Sequence, residues 1–129
     1  MSTTEPERGY LFEHGRLSYL QIPASNLETS GEFYASVFGW ELGTKKADHL
    51  GFSDSTKGMI GAWMTDRTAS RDRGVLPYIY VHGIDAVLEK IKNRGCEIVR
   101  PPYAEGDLWV ATFRDPGGNV IGVWQQGPR

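Results

Sequence analysis

The segment Phe52-Ser-Asp-Ser-Thr-Lys-Gly-Met-Ile-Gly-Ala-Trp63 recurs as Phe113-Arg-Asp-Pro-Gly-Gly-Asn-Val-Ile-Gly-Val-Trp124. Phe, Asp, Ile, Gly and Trp repeat in register at a constant offset of 61 residues. Unrelated segments of this length share about one residue by chance, given average usage. Upstream, Leu17-Ser-Tyr-Leu-Gln-Ile22 matches Leu76-Pro-Tyr-Ile-Tyr-Val81 at the nearly equal offset of 59. An internal repeat overrides local assignments, because each copy must fold as the same unit. The chain is read as two copies of one supersecondary unit.

Local signals fill in that unit. Ser25-x-x-Glu28 has the capping-box pattern, and Leu27, Phe33, Tyr34, Val37 and Phe38 follow at helical spacing until Gly39. In the second copy Asp85 is the expected cap, Ile84, Val87, Leu88 and Ile91 form the apolar stripe, and Gly95 ends the helix. Short strands are expected at about 40–45, 49–54 and 58–65, and again at 96–100, 107–114 and 119–126. Asp115-Pro-Gly-Gly suits a tight turn, with Pro fixing φ and Gly accepting positive φ. The fold expected is α+β: two tandem β-α-β-β-β units, residues 16–65 and 75–127, forming a curved, cup-shaped mixed sheet with its helices outside. Residues 16–127 make one domain, 1–15 a flexible N-terminal segment, and the polar stretch 66–74 joins the units.

Strand parity separates two faces. With a helix on one side, Leu20, Ile22, Ile60, Ala62, Ile79, Val81, Ile121 and Val123 point towards it. The opposite parity carries Tyr19, Gln21, Met59, Gly61, Trp63, Tyr78, Tyr80, Val120, Gly122 and Trp124. This second face holds large aromatics, an amide and two glycines that leave room beside bulky neighbours. Lining a concavity, it is the candidate ligand site. The alternative is that Trp63 and Trp124 fill the gap above the glycines as core.

Composition excludes several classes. With a net charge of −2 the chain lacks the basic surface that generic nucleic-acid binding needs. The basic run from Arg67 to Arg73 is interrupted by Asp66 and Asp72 and reads as a solvated loop. No apolar run approaches the roughly 20 residues of a membrane span, and the polar start MSTTEPERGY has no signal-peptide form. The expected location is the cytoplasm. Cys96 is the one cysteine, so no internal disulfide forms and the thiol is read as a packing residue. His14, His49 and His82 are dispersed, without a paired spacing. His82 is read as a surface or capping histidine, with a pocket acid/base role as the alternative. Glu105 and Asp107 fall in a stretch expected to overhang the cup as a loop.

The chain resembles the vicinal oxygen chelate superfamily, the glyoxalase, bleomycin-resistance and extradiol dioxygenase fold. The resemblance spans about residues 16–127. It is carried by Ile22-Pro-Ala-Ser-Asn-Leu-Glu-Thr-Ser30, Phe33-Tyr34, Val37-Phe-Gly-Trp40 and Phe113-Arg-Asp-Pro-Gly-Gly-Asn119, together with the doubled unit order. That family implies an open cup around the active site, occupied either by metal-dependent enzymes or by metal-free antibiotic-sequestering proteins. Fold does not choose between them. The positions where metal-dependent relatives carry His, Glu or Gln fall here on Tyr19, Gly61, Tyr78 (or Leu76) and Gly122. Glycine offers no ligand, so neither a metal nor a cofactor is expected. The resemblance and the open sheet edges also imply a homodimer.

The first reading is therefore a metal-free protein holding a small planar or apolar molecule between aromatic walls, with Tyr19, Gln21, Met59, Gly61, Trp63, Tyr78, Tyr80, Gly122 and Trp124 at the site. The alternative is a metal-independent lyase or isomerase using tyrosine, His82 or a loop carboxylate as acid and base. A metal-dependent enzyme with displaced ligands is the third.

Overall fold

The structure, a computed structural model, describes residues 9–12, 14, 16–56, 58–69 and 75–129. The first unit contains β1 (Tyr19–Pro23), α1 (Leu27–Phe38), β2 (Glu41–Lys45), β3 (His49–Ser53) and β4 (Ile60–Met64). The second contains β5 (Tyr78–Tyr80), α2 (Ile84–Asn93), β6 (Ile98–Glu105), β7 (Leu108–Arg114) and β8 (Val120–Gln126). Each unit makes one four-stranded mixed sheet, ordered β1-β4-β3-β2 and β5-β8-β7-β6. The β1/β4 and β5/β8 pairs are parallel and the rest antiparallel. The expected curved sheet is thus two sheets with the same strand order. Before them, Gly9–Phe12 make one 3-10 turn and bury Leu11. The joining segment expected over 66–74 is described as far as Ala69, and its remainder lies outside the described residues.

Both helices form where the apolar stripes lie, but neither uses the expected cap. Asn26, not Ser25, caps α1, its side-chain oxygen accepting the Thr29 N–H at 2.9 Å. Glu28 turns instead to Lys45, 2.9 Å away. Gly39 ends the helix in the left-handed region at φ 76°, where a Cβ is costly. For α2 the N-cap is Gly83, which has no side chain to offer; the Ile84 N–H is taken by Gln125 Oε1 at 2.7 Å. Asp85 lies inside the first turn and pairs with Arg129 at 3.2 Å. A side chain from the last strand has replaced the local cap. Gly95, at φ 75°, completes the C-terminal turn as expected.

The stretch expected as a loop at 101–107 is also regular. Strand β6 continues to Glu105, and only Gly106 and Asp107 separate it from β7. Gly106 takes φ 62°, as a two-residue hairpin turn requires. Pro101 and Pro102 are tolerated because the register shifts between Arg100 and Tyr103, where the prolines need donate nothing.

One core serves both units. Residues of both helices and both sheets join in a single apolar cluster that includes Ile22, Phe33, Tyr34, Leu88, Phe113 and Val123. Phe33 of α1 reaches Phe113 of β7, with ring centroids 5.8 Å apart. The sheet faces turned away from the helices are open: Tyr19 is 51% exposed and Tyr78 and Tyr80 each 45%.

Candidate functional site

An apolar cavity of about 580 Å³ lies between the units, on the helix-bearing side of the first sheet. Leu20, Ile22 and Phe52 face it from the first sheet, Tyr34 from α1 and Val87 from α2. Gly39 turns the chain at the end of α1 so that Trp40 joins the wall. Tyr34 and Trp40 stack at 4.5 Å with planes 23° apart, and Trp40 and Phe52 at 4.8 Å and 24°. Trp63 backs this cluster, 4.6 Å from Phe52, and is fully buried. Polar groups are confined to a few positions: Asp54, Thr56, Tyr78, Tyr80 and His82. A volume of this size with apolar walls and few polar groups is that of a small-molecule pocket.

Asp54 is fixed by its own turn. Its Oδ1 accepts the Thr56 N–H at 3.0 Å and the Thr56 hydroxyl at 2.8 Å, while Oδ2 accepts the Met59 N–H at 3.2 Å. A second buried carboxylate ties the cavity wall to the other unit. The Tyr34 hydroxyl donates to Asp115 Oδ2 at 2.8 Å, and the Gly117 and Asn119 N–H groups donate to Oδ1 at 3.0 and 2.8 Å. The Asn119 amide reaches across to the Pro23 carbonyl at 2.7 Å. Burial raises the Asp115 pKa, and the hydrogen bonds from Asn119 and Tyr34 act against that rise. Burial, reinforced by the Asp115 charge, pushes Tyr34 well above the usual tyrosine range, so it stays a phenol donor.

The sequence-predicted residues divide. Met59, Tyr78 and Tyr80 border the cavity. Tyr19, Gln21, Gly122 and Trp124 do not; they lie on the sheet faces turned away from the helices. Gln21 is engaged by Arg67, whose guanidinium donates to the amide oxygen at 2.7 Å. Trp124 meets Tyr80 edge to face at 4.7 Å. The Tyr78 ring covers Gly122, where an added Cβ would strike it, so that glycine is packed against rather than open.

Gly61 and Trp63 are corrections. Both turn inwards: Ile22 pairs with Trp63 and Leu20 with Gly61 across the parallel β1/β4 ladder, placing them on one side. Ile60 and Ala62, expected to face the helix, consequently share the outer face with Tyr19 and Gln21. The cause is one residue. Phe52 pairs with Gly61 in the first hairpin, whereas Phe113 pairs with Ile121 in the second. The Asp54 N–H closes its turn on the Met59 carbonyl, but the Asp115 N–H on Asn119, a turn one residue shorter. Past those turns the structural offset is 60, not 61, and a single-residue slip reverses every side chain of a strand. The gapless sequence match hid an insertion.

Trp40, Phe52, Asp54 and Val87 were missed as site residues. Trp40 had a signal, a large aromatic directly after a helix-ending glycine. The others were indistinguishable from core or turn residues. The Glu105 and Asp107 side chains do not border the cavity, while His82 does, 5.5 Å edge to face from Tyr80.

A divalent ion does not fit the family positions. Structurally, the first unit's last-strand position on the outer face is Ala62, not Gly61, and the second unit's is Gly122, paired with Tyr78. Methyl, hydrogen and phenol do not supply the N and carboxylate O donors such a site needs, and Gln21, which pairs with Ala62 as Tyr78 does with Gly122, has its amide oxygen engaged by Arg67 at 2.7 Å. Among the described residues no three His, Cys, Asp or Glu side chains converge to hold an ion. A second hollow of about 410 Å³ is lined by charged groups already in pairs, Arg94 with Glu32 at 3.0 Å and Arg114 with Glu97 at 3.5 Å.

The family model described as Glyoxalase/Bleomycin resistance protein/Dioxygenase superfamily matches residues 16–123. The chain belongs to that superfamily. Among solved structures, this superfamily member is similar to a glyoxalase/bleomycin resistance protein/dioxygenase family enzyme from Burkholderia phytofirmans PsJN. That match has TM-score 0.73 and 18% identity, covering 87% of this chain and 99% of the other. It is also similar to TnmS3, an antibiotic binding protein from Streptomyces sp. CB03234, with TM-score 0.68 and 21% identity over 88% of this chain and 97% of that one. A protein of Mycobacterium bovis named "Putative glyoxylase CFP32" is 26% identical over 122 residues, or 88% of this chain. The chain spans about half (47%) of the length of that relative. Among the described residues no helix is long and apolar enough to cross a membrane.

Proposed function

We propose that this superfamily member is a metal-free binder of a small planar or apolar molecule, and that the molecule occupies the cavity between the units. The observation that carries the reading is the cavity itself: about 580 Å³, walled by Leu20, Ile22, Tyr34, Trp40 and Phe52. Rigid rings supply contact area at low entropic cost, and the phenols of Tyr78 and Tyr80 supply polar handles. The metal-free part of the proposal rests on Tyr19, Ala62, Tyr78 and Gly122 at the family's ligand positions. The antibiotic-binding relative makes sequestration a reasonable role for such a pocket.

Tryptophan fluorescence tests this, because Trp40 is in the wall. A planar ligand from a compound library should quench the wild-type protein saturably after metal removal by chelator. Val87→Phe, which puts a ring into the cavity, should abolish that quenching while moving the melting temperature by only a few degrees. Unaltered binding in Val87→Phe would remove the ligand from this cavity. The second reading, metal-independent acid–base catalysis, is favoured by one observation, His82 beside Tyr80 at the cavity edge, and it requires His82→Ala to abolish turnover without loss of ligand binding.

A further inference from the structure

We infer that the cavity prefers a lipophilic cation: a flat apolar body carrying an ammonium or similar positive group, with that charge placed against Asp54. The inference rests on the binding reading above and adds the ligand's charge.

Three observations carry it. Among the described residues, Asp54 is the one carboxylate bordering the cavity, and no lysine or arginine borders it. The Asp54 carboxylate is held in place by Thr56 and Met59, so its charge is preorganised rather than free to swing into water. Three hydrogen bonds fill both acceptor sites of Oδ1 and one of Oδ2, leaving a single lone pair on Oδ2, since each carboxylate oxygen accepts two. Arg16 reaches the same turn through the Gly58 carbonyl, at 2.8 Å. Finally, the remaining wall is aromatic, with Trp40, Phe52, Tyr78 and Tyr80 sharing the cavity with that charge. Aromatic faces attract cations, most strongly where water is excluded. An anion entering the same space would meet a fixed like charge, with no lysine or arginine among the described residues lining the cavity.

The probes are trimethyl(2-naphthyl)ammonium and 2-tert-butylnaphthalene, which share shape and differ in charge. Each is titrated into the full chain by tryptophan quenching. Asp54→Asn should weaken the ammonium probe about tenfold and leave the neutral one within twofold. Raised salt should weaken only the former. Ser55→Lys, at an exposed turn position that does not line the cavity, sets a positive charge beside Asp54 and should act in the same direction. It decides the matter if Asp54→Asn fails to show a normal melting transition. Equal losses for both probes in either folded variant would overturn the charge preference. Quenching of the wild type by the neutral probe alone would overturn it too, while leaving the cavity as a binding site. If neither probe quenches the wild type, both this inference and the binding reading fail.

Discussion

Tyr34 does two things at once: its ring walls the cavity and its hydroxyl holds the buried Asp115 of the other unit. A hydrogen bond to a charged, buried acceptor contributes about 1.5–3 kcal/mol. Tyr34→Phe should therefore lower stability by about that amount at neutral pH, measured by urea denaturation. The pH dependence has a definite sign. The Tyr34 hydrogen bond lowers the Asp115 pKa, meaning that it favours the ionised carboxylate. Its contribution is present when Asp115 is charged and is lost as pH falls through the folded value, which lies above 3.8. The difference between wild type and variant should shrink towards pH 3.8. Burial acts the other way on the wild type: a raised carboxyl pKa contributes stability below the unfolded value and loses it as pH rises through the folded one. A variant difference that grows in acid would contradict the assignment.

At the scale of elements, helix α2 begins without a cap of its own. Gly83 offers no side chain, and the amide of Gln125, from β8, accepts the Ile84 N–H. Gln125→Ala would orphan that buried donor and should cost about 1–3 kcal/mol. Asp85→Ala, at the position local sequence marks as the cap, removes an exposed pair with Arg129 and should cost under about 1 kcal/mol. Parallel melting of the two variants checks the order; a reversed order would return the capping role to Asp85. The hairpins make a related point. Both turns start with an aspartate that binds its own backbone, yet one residue more in the first turn sends Trp63 into the core while Trp124 stays on the open face.

At the scale of the whole molecule, the two units are joined by a shared core and the Asp115 bridge, while their outer faces keep Tyr19, Tyr78 and Tyr80 about half exposed. We propose that a second copy covers these faces, giving a homodimer. Tyrosine at such exposure suits an interface, being apolar in body and polar at its tip. Light scattering at micromolar concentrations should return about twice the 14.4 kDa of one chain, and Tyr80→Glu should shift the population to monomer. A wild-type mass of one chain at all concentrations would count against the dimer.

The repeated motif, the helix-ending Gly39 and Gly95 and the apolar stripes determined the superfamily fold, because those signals are local: they depend on backbone freedom and on periodicity along a few turns of chain. Second-unit parity was legible for the same reason, with Tyr78, Tyr80 and Trp124 on one side and Val81 and Val123 on the other. Tertiary structure decided the rest. Whether the match at an offset of 61 residues was gapless depended on which carbonyl closed each turn, a pairing that residue identity does not reveal. The cap of α2 came from Gln125, 41 residues along the chain from Ile84, beyond any local pattern. The cavity is the space left where two units meet, so its walls are residues such as Ile22, Phe52 and Val87 that sequence alone reads as core. An apolar side chain facing a gap and one facing a neighbour obey the same periodicity. Only the packing of one unit against the other distinguishes them.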